Sequence, residues 1–120
     1  MDYNVLVYAF IGDAYYELLV RDYLIEKKIC KVKELKEESL KYVTATRQAY
    51  FLTLIEEILS DEEKDIVKRG RNAKINSRSK SCDVLTYKHA TAFECLIGYL
   101  YKNNKIDRIN EIFKKIVSGD

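Results

Sequence analysis

The stretch YNVLVYAFIGDAYYELLV at residues 3–20 decides the fold, because fourteen of its eighteen residues are apolar. A helix that is apolar on nearly all sides is buried inside a protein, so the pattern predicts a buried helix over residues 3–28. Asp13 and Glu17 interrupt the run, whereas a membrane-spanning helix needs about 20 nearly uninterrupted apolar residues. The stretch is therefore typical of the core of a soluble, all-α protein.

The rest of the chain also favours helices, because its 120 residues include no proline and only 4 glycines. Its length fits a single domain over residues 1–120. Periodicity and capping signals predict the other elements. They are two helices within 33–59 that meet between Lys41 and Thr46, a short helix opened by a Ser60–Glu63 capping box and stopped at Gly70, a polar loop over 72–84, and helices over 87–102 and 105–117.

The cysteines and the N-terminal residues indicate in which cellular compartment the protein works. Cys30, Cys82 and Cys95 are odd in number and form no C-x-x-C pair, which argues against a disulfide framework or a zinc site. The N-terminal MDYNVL has no basic segment of the kind that opens a signal peptide. We therefore expect reduced thiols and a cytoplasmic protein.

Two apolar helices carry carboxylates beside glycines. Residues 90–101, ATAFECLIGYLY, hold nine apolar residues of twelve and one charge, Glu94. A carboxylate on a buried helix is costly unless it is paired, hydrogen-bonded or bound to metal. Gly12 and Gly98 would let the two helices approach closely and bring Asp13 near Glu94. One interpretation is a Mg²⁺ site; the other is that each acid hydrogen-bonds a neighbour or points into solvent.

Basic charge is concentrated in one short segment. Residues 64–80 carry 7 basic side chains and 1 acidic one, including KRGRNAK at 68–74 followed by Arg78 and Lys80. Clustered Arg and Lys make good phosphate contacts. The segment contains no aromatic residue for base stacking, so the backbone of an RNA duplex fits it better than a single strand. A solvated charged loop is the alternative interpretation.

His89 is the only histidine. It could act as a general base, but no nucleophile partner is evident, and a helix-surface or partly buried histidine is the simpler interpretation.

Five segments together resemble Mini-ribonuclease III. FIGDA at 10–14 is similar to the signature helix of the ribonuclease III family, and FECLIGYLY at 93–101 to its second acidic helix. The features that resemble the Mini branch specifically are YVTATRQA at 42–49, KRGRNAK at 68–74 and DVLTY at 83–87. The resemblance covers nearly the whole chain.

The resemblance implies an all-α, homodimeric endoribonuclease domain with no separate domain for binding double-stranded RNA. The family cleaves double-stranded RNA with Mg²⁺, leaving a 5′-phosphate and a 3′-hydroxyl, and matures the 5′ and 3′ ends of precursor 23S ribosomal RNA with the help of a large-subunit ribosomal protein. By position, Asp13 and Glu94 correspond to catalytic metal ligands. Phe10 corresponds to a residue that inserts into the partner subunit.

The chain departs from the larger ribonuclease III enzymes at two acidic positions, which are Ala9 and Thr91 here. Both losses are expected in the Mini branch and leave fewer metal ligands. Glu17 is a further candidate ligand. The expected RNA-binding residues are Lys68, Arg69, Arg71, Asn72, Lys74, Arg78 and Lys80.

Two functions of other classes stay open at this point. A non-catalytic helical RNA-binding or ribosome-assembly module would use the basic segment without metal. A helical interaction protein would use its apolar helix to dimerise and would have no affinity for RNA.

Overall fold

The computed structural model describes residues 4–74 and 83–119 of the chain. These residues form only helices, which confirms the expected all-α fold class. The elements are α1 (Val5–Glu26), α2 (Val32–Val43), α3 (Ala45–Ile55), a short 3₁₀ helix (Glu56–Ile58), α4 (Asp61–Asn72), α5 (Val84–Lys102) and α6 (Ile106–Gly119). Within the described ranges, no helix is long and apolar enough to cross a membrane.

Helix α5 lies at the centre of the fold, where it packs against α1, α3, α4 and α6. Its apolar sequence is buried on most sides, as the sequence pattern predicts for such a helix. The Phe93 ring of α5 meets the Tyr16 ring of α1 edge-on, with centroids 4.9 Å apart. The largest fully buried side chains around this contact are Leu24, Phe51, Ile55, Leu96, Ile97, Leu100, Ile109, Ile112 and Ile116.

The break between α2 and α3 falls at Thr44, inside the predicted interval. Thr44 caps α3 by accepting a hydrogen bond from the backbone N–H of Arg47 at 3.3 Å. The last carbonyls of a helix lack partners within it, and here side chains of α1 and α3 supply them. Arg47 Nε donates to the Lys41 carbonyl at 3.0 Å, Tyr16 Oη to the Tyr42 carbonyl at 3.0 Å, and Gln48 Nε2 to the Val43 carbonyl at 3.2 Å.

The predicted capping box opens α4. The Ser60 hydroxyl accepts from the Glu63 N–H at 3.2 Å, and the Glu63 carboxylate accepts from the Ser60 N–H at 2.9 Å. The same carboxylate takes two hydrogen bonds from the Arg108 guanidinium of α6, at 2.8 and 2.9 Å. Arg108 also donates to the carbonyl of Ile58. These bonds fasten the start of α4, and with it the basic segment, to α6.

The predicted stop at Gly70 is wrong, because α4 continues to Asn72. Gly70 serves packing instead: a Cβ there would lie 2.9 Å from Cys95 Sγ and 3.0 Å from Ala92 Cα. The helices on both sides reach into the predicted polar loop over 72–84, since Asn72 belongs to α4 and Val84 to α5. Helix α5 begins at Val84 because Asp83 caps it, accepting from the Thr86 N–H at 2.7 Å. Residues 75–82 lie outside the described residues.

Candidate active site

Helices α1 and α5 cross with their backbones in direct contact. A Cβ on Gly12 would lie 1.9 Å from the Glu94 carbonyl oxygen, and one on Gly98 would lie 1.8 Å from the Tyr8 carbonyl oxygen. No side chain fits at either position, so these two glycines are what allows the crossing. The predicted role of both glycines is confirmed.

The crossing brings Asp13 and Glu94 together. Their carboxyl groups share a hydrogen bond, although the two residues are 81 positions apart in the chain. Asp13 is exposed and Glu94 is half-buried. The pair therefore forms an acidic site with one side open to solvent.

The charge on Glu94 is disfavoured by its surroundings. Burial raises its pKa to about 8, and the hydrogen bond to Asp13, the negative charge of Asp13 and that of Glu17 act in the same direction. Two carboxylates held this close repel each other when both are ionised. A divalent cation between them would remove that repulsion.

The donor set fits a hard cation such as Mg²⁺, which binds through one or two carboxylates and keeps waters or substrate phosphates as its other ligands. Among the described residues, no group of three or more His, Cys, Asp or Glu side chains is arranged to hold a metal. The site therefore offers the two carboxylates and open space for other oxygen ligands.

Glu17 lies one turn after Asp13 on α1. Its carboxylate is 3.6 Å from the guanidinium of Arg21, four residues further along the same helix. Its negative charge adds to the repulsion felt by Glu94, but the structure does not gather it into a three-ligand group.

Gln48 is a site residue that sequence reasoning missed. Its side-chain amide hydrogen-bonds the Glu94 carboxylate as well as the Val43 carbonyl. It is only 3% exposed. One signal could have found it: Gln48 continues the apolar stripe of Phe51, Leu52 and Ile55 by one turn, so it is a polar residue at a core position.

The predicted RNA-binding residues lie on the second half of α4 and just after it. Lys68, Arg69, Arg71, Asn72 and Lys74 are all exposed. Arg78 and Lys80 lie outside the described residues.

These side chains line two different clefts. Lys68, Arg69, Asn72 and Lys74 border a cleft of about 580 Å³ against the start of α1. Arg71 instead faces a cleft of about 630 Å³ that also contains Lys68 and the acidic Glu56 and Glu57. The first cleft has the stronger basic character, with Asp65 as its one acidic residue.

Phe10 is 83% exposed on α1, one turn before Asp13. Val7, one further turn back, is also exposed. His89 is half-buried on α5.

Comparisons with known proteins agree with this geometry. A family model described as a ribonuclease III domain matches residues 6–105. The chain is 48% identical over 120 residues to Mini-ribonuclease 3 of Brevibacillus brevis, covering 98% of this chain and 90% of that protein. It is 42% identical over 116 residues to Mini-ribonuclease 3 of Clostridium tetani, covering 96% and 77%. The X-ray structure of a Fusobacterium nucleatum protein superposes with a TM-score of 0.89 at 35% identity, covering 98% of this chain and 94% of that one.

An all-helical domain matched over most of its length by this family model defines an endoribonuclease of the ribonuclease III class. Within that class, the chain belongs to the Mini-ribonuclease III family. The resemblance and the enzymatic class expected from the sequence are confirmed. A purely binding module and a helical interaction protein are thereby disfavoured.

Proposed function

We propose that this protein is a Mg²⁺-dependent endoribonuclease that cleaves double-stranded RNA and matures the 5′ and 3′ ends of precursor 23S ribosomal RNA. The observation that carries the proposal is the contact between Asp13 and Glu94 where α1 and α5 cross. Membership of the Mini-ribonuclease III family supports the choice of substrate.

In the proposed mechanism, Asp13 and Glu94 would hold the cation that RNA cleavage requires. Bound Mg²⁺ supplies positive charge for the phosphate oxygens and a water of lowered pKa. Asp13, on the exposed side, faces the substrate and solvent, while half-buried Glu94 is held by its neighbours. Water attacks the phosphorus in line, the bond from phosphorus to the 3′-oxygen breaks, and a proton of the water passes through solvent to that oxygen, which leaves a 5′-phosphate and a 3′-hydroxyl. Glu17 remains a candidate for a further, outer contact to the cation.

The exposed basic side chains of α4 grip the RNA backbone in this proposal. Lys68, Arg69, Asn72 and Lys74 share one cleft, which makes them the main contacts; Arg71, Arg78 and Lys80 belong to the same proposed set. Such contacts release counterions, so affinity for RNA falls steeply with salt.

The proposed assembly is a cytoplasmic homodimer in which residues 1–120 act as one catalytic domain. Exposed Phe10 packs into the partner subunit, and two acidic sites then lie along one duplex-binding surface. A large-subunit ribosomal protein is the proposed helper for precursor ribosomal RNA.

The test is cleavage of an end-labelled RNA duplex and of precursor 23S ribosomal RNA, with Mg²⁺ and with EDTA, by the wild type and by Asp13→Asn and Glu94→Gln. We expect Mg²⁺-dependent cuts by the wild type alone, at the mature 5′ and 3′ ends of the ribosomal precursor. Cleavage in EDTA, or by either variant at the wild-type rate, would contradict the assigned site. Cleavage of the simple duplex without cuts in the precursor, even when precursor particles are supplied, would contradict the assigned substrate.

A further inference from the structure

We propose that Gln48 is a positioning residue of this endoribonuclease, whose buried side-chain amide holds the Glu94 carboxylate in the orientation that a divalent cation requires. The inference rests on the proposed function, because it concerns the cation site formed by Asp13 and Glu94.

The geometry leaves the Gln48 side chain little freedom. It lies in the first turn of α3 and is only 3% exposed. Its Nε2 donates to the Val43 carbonyl at 3.2 Å, and the amide also hydrogen-bonds Glu94. An amide NH₂ group has two hydrogens, so one nitrogen can serve the carbonyl and the carboxylate together.

The Gln48 amide is bound to the backbone at the end of α2. Val43 is the last residue of α2, and its carbonyl is one of those that the helix itself leaves without a partner. The amide therefore links the end of α2 to Glu94 on α5. Glu94 thus interacts with Gln48 of α3 and with Asp13 of α1.

The chemistry of an amide suits this position. A lysine or arginine would neutralise Glu94 and compete with a metal cation, whereas another acid would add to the repulsion that Asp13 and Glu17 already exert. A neutral donor fixes one carboxylate oxygen and leaves the other available to a cation. Groups that hydrogen-bond metal ligands in this way typically contribute about 10- to 100-fold to metal affinity or activity.

A simpler role would be structural: Gln48 could do no more than satisfy the Val43 carbonyl. The variant Gln48→Met keeps the length of the side chain and removes both hydrogen bonds, so the two roles are separated by comparing metal binding and cleavage with thermal stability. Ile55→Val is the matched control. Ile55 is fully buried two turns further along α3, so its substitution loosens the packing of the same helix. Thermal unfolding of both variants measures the structural cost by itself.

The readouts are Mn²⁺ binding, followed by the electron paramagnetic resonance signal of free Mn²⁺, and the kcat and KM for cleavage of a duplex RNA with Mg²⁺. For Gln48→Met we expect about 10- to 100-fold weaker Mn²⁺ binding or lower kcat, with KM for RNA unchanged. Ile55→Val should bind Mn²⁺ and cleave RNA as the wild type does. If Gln48→Met differs from the wild type only in thermal stability, Gln48 is structural and the proposal is overturned.

A second measurement needs no substitution of Gln48. It is the only glutamine in the sequence, so protein labelled with ¹⁵N at the glutamine amide gives a single NH₂ pair in a proton–nitrogen spectrum. We expect Mg²⁺ to shift that pair in the wild type and to leave it unchanged in Asp13→Asn, which keeps Gln48 as the only glutamine. A pair that does not respond to Mg²⁺ in the wild type would overturn the proposal even if Gln48→Met failed to fold.

The two proposals fail differently. A wild type that binds no Mn²⁺ and cuts no RNA would overturn the proposed function and the role of Gln48 with it. A wild type that binds and cuts, beside a Gln48→Met variant that does the same, would overturn only the role of Gln48.

Discussion

Burial and a neighbouring acid act in the same direction on Glu94. Both favour the protonated form and raise its pKa to about 8. A glutamic acid in this position is a poor choice for stability alone, since a buried charge must be paired or neutralised. Its presence makes physical sense where a cation is bound.

The substitution Glu94→Gln should therefore separate stability from function. The amide has the same shape, carries no charge and no longer repels Asp13, so we expect thermal unfolding at the wild-type temperature or above. Cleavage should fall by at least about 100-fold, because an amide is a weaker Mg²⁺ ligand than a carboxylate. Circular dichroism and a single-turnover cleavage assay measure the two effects. Near-wild-type cleavage would show that Glu94 is not a key ligand.

The ion pair between Glu63 and Arg108 should make stability depend on pH. Hydrogen bonds from Arg108 lower the pKa of Glu63 below its ordinary value. The pair therefore stabilises the fold above the pKa of the unfolded chain, and this contribution is lost as the pH falls through the lowered pKa. Glu63→Gln should cost about 2 kcal/mol at pH 7, with a smaller difference near pH 3.

Urea unfolding at the two pH values tests this prediction. Glu57→Gln is the control, because Glu57 pairs with Lys115 at 2.9 Å in an exposed position, where an ion pair contributes at most about 1 kcal/mol. A cost for Glu63→Gln that stays constant from pH 7 to pH 3 would contradict the assigned role of the charge.

The acidic site depends on the close crossing of helices α1 and α5. Gly98→Ala would place a Cβ against the Tyr8 carbonyl, in space that does not exist. We expect the helices to separate, with a loss of about 3 kcal/mol or more in unfolding free energy from the disturbed core and with loss of cleavage. Gly119→Ala is the control, because a Cβ there meets Leu54 only at 3.6 Å. Equal stability of the two variants would contradict the close crossing.

The basic residues of α4 should act on RNA affinity and not on stability. Arg69→Ala with Lys74→Ala removes two charges from one cleft, so duplex affinity should fall and the salt dependence should flatten by about one to two in its logarithmic slope. Arg71→Ala should have a smaller effect because Arg71 faces Glu56 and Glu57. Lys33→Ala, at an exposed position on α2, is the control.

Filter binding across a salt series, with melting curves alongside, measures these effects. A lowered melting temperature with unchanged affinity would show that the arginine and lysine are structural.

Most elements could be predicted from sequence, because helix signals are local. The α2–α3 break and the capping box of α4 depend on residues a few positions apart. The end of α4 could not be predicted in this way. Glycine commonly lies just past the end of a helix. Gly70 instead lies inside α4, where a side chain would clash with Cys95 and Ala92 of α5, and this tertiary contact cannot be read from local sequence.

The candidate site could also be predicted only in part, because some of its contacts depend on how the whole molecule packs. The pairing of Asp13 with Glu94 was predictable from two apolar helices that each carry a glycine and an acid. Gln48 was not singled out, because its contacts join α3 to α2 and α5, which are distant in the sequence. The separation of Arg71 from Arg69 into two clefts likewise depends on how α4 packs.

The proposed dimer makes its own prediction. A phenylalanine that is 83% exposed gains stability when a partner covers it. Phe10→Ser should therefore weaken self-association by about 2 kcal/mol or more, whereas Leu40→Ser, at an exposed apolar position on α2, should not. Sedimentation velocity over a concentration series measures both. A wild type that is monomeric at every concentration would contradict the dimer.

The central claim is that Asp13 and Glu94 together hold the cation that RNA cleavage needs. The most direct measurement is a crystal structure with Mn²⁺ and a short RNA duplex, with the metal located by its anomalous scattering. We predict a peak between the two carboxylates, bound to them directly at about 2.0–2.2 Å or through one water, and adjacent to a phosphate. Mn²⁺ bound elsewhere on the protein–RNA complex, with none at this pair, would contradict the account.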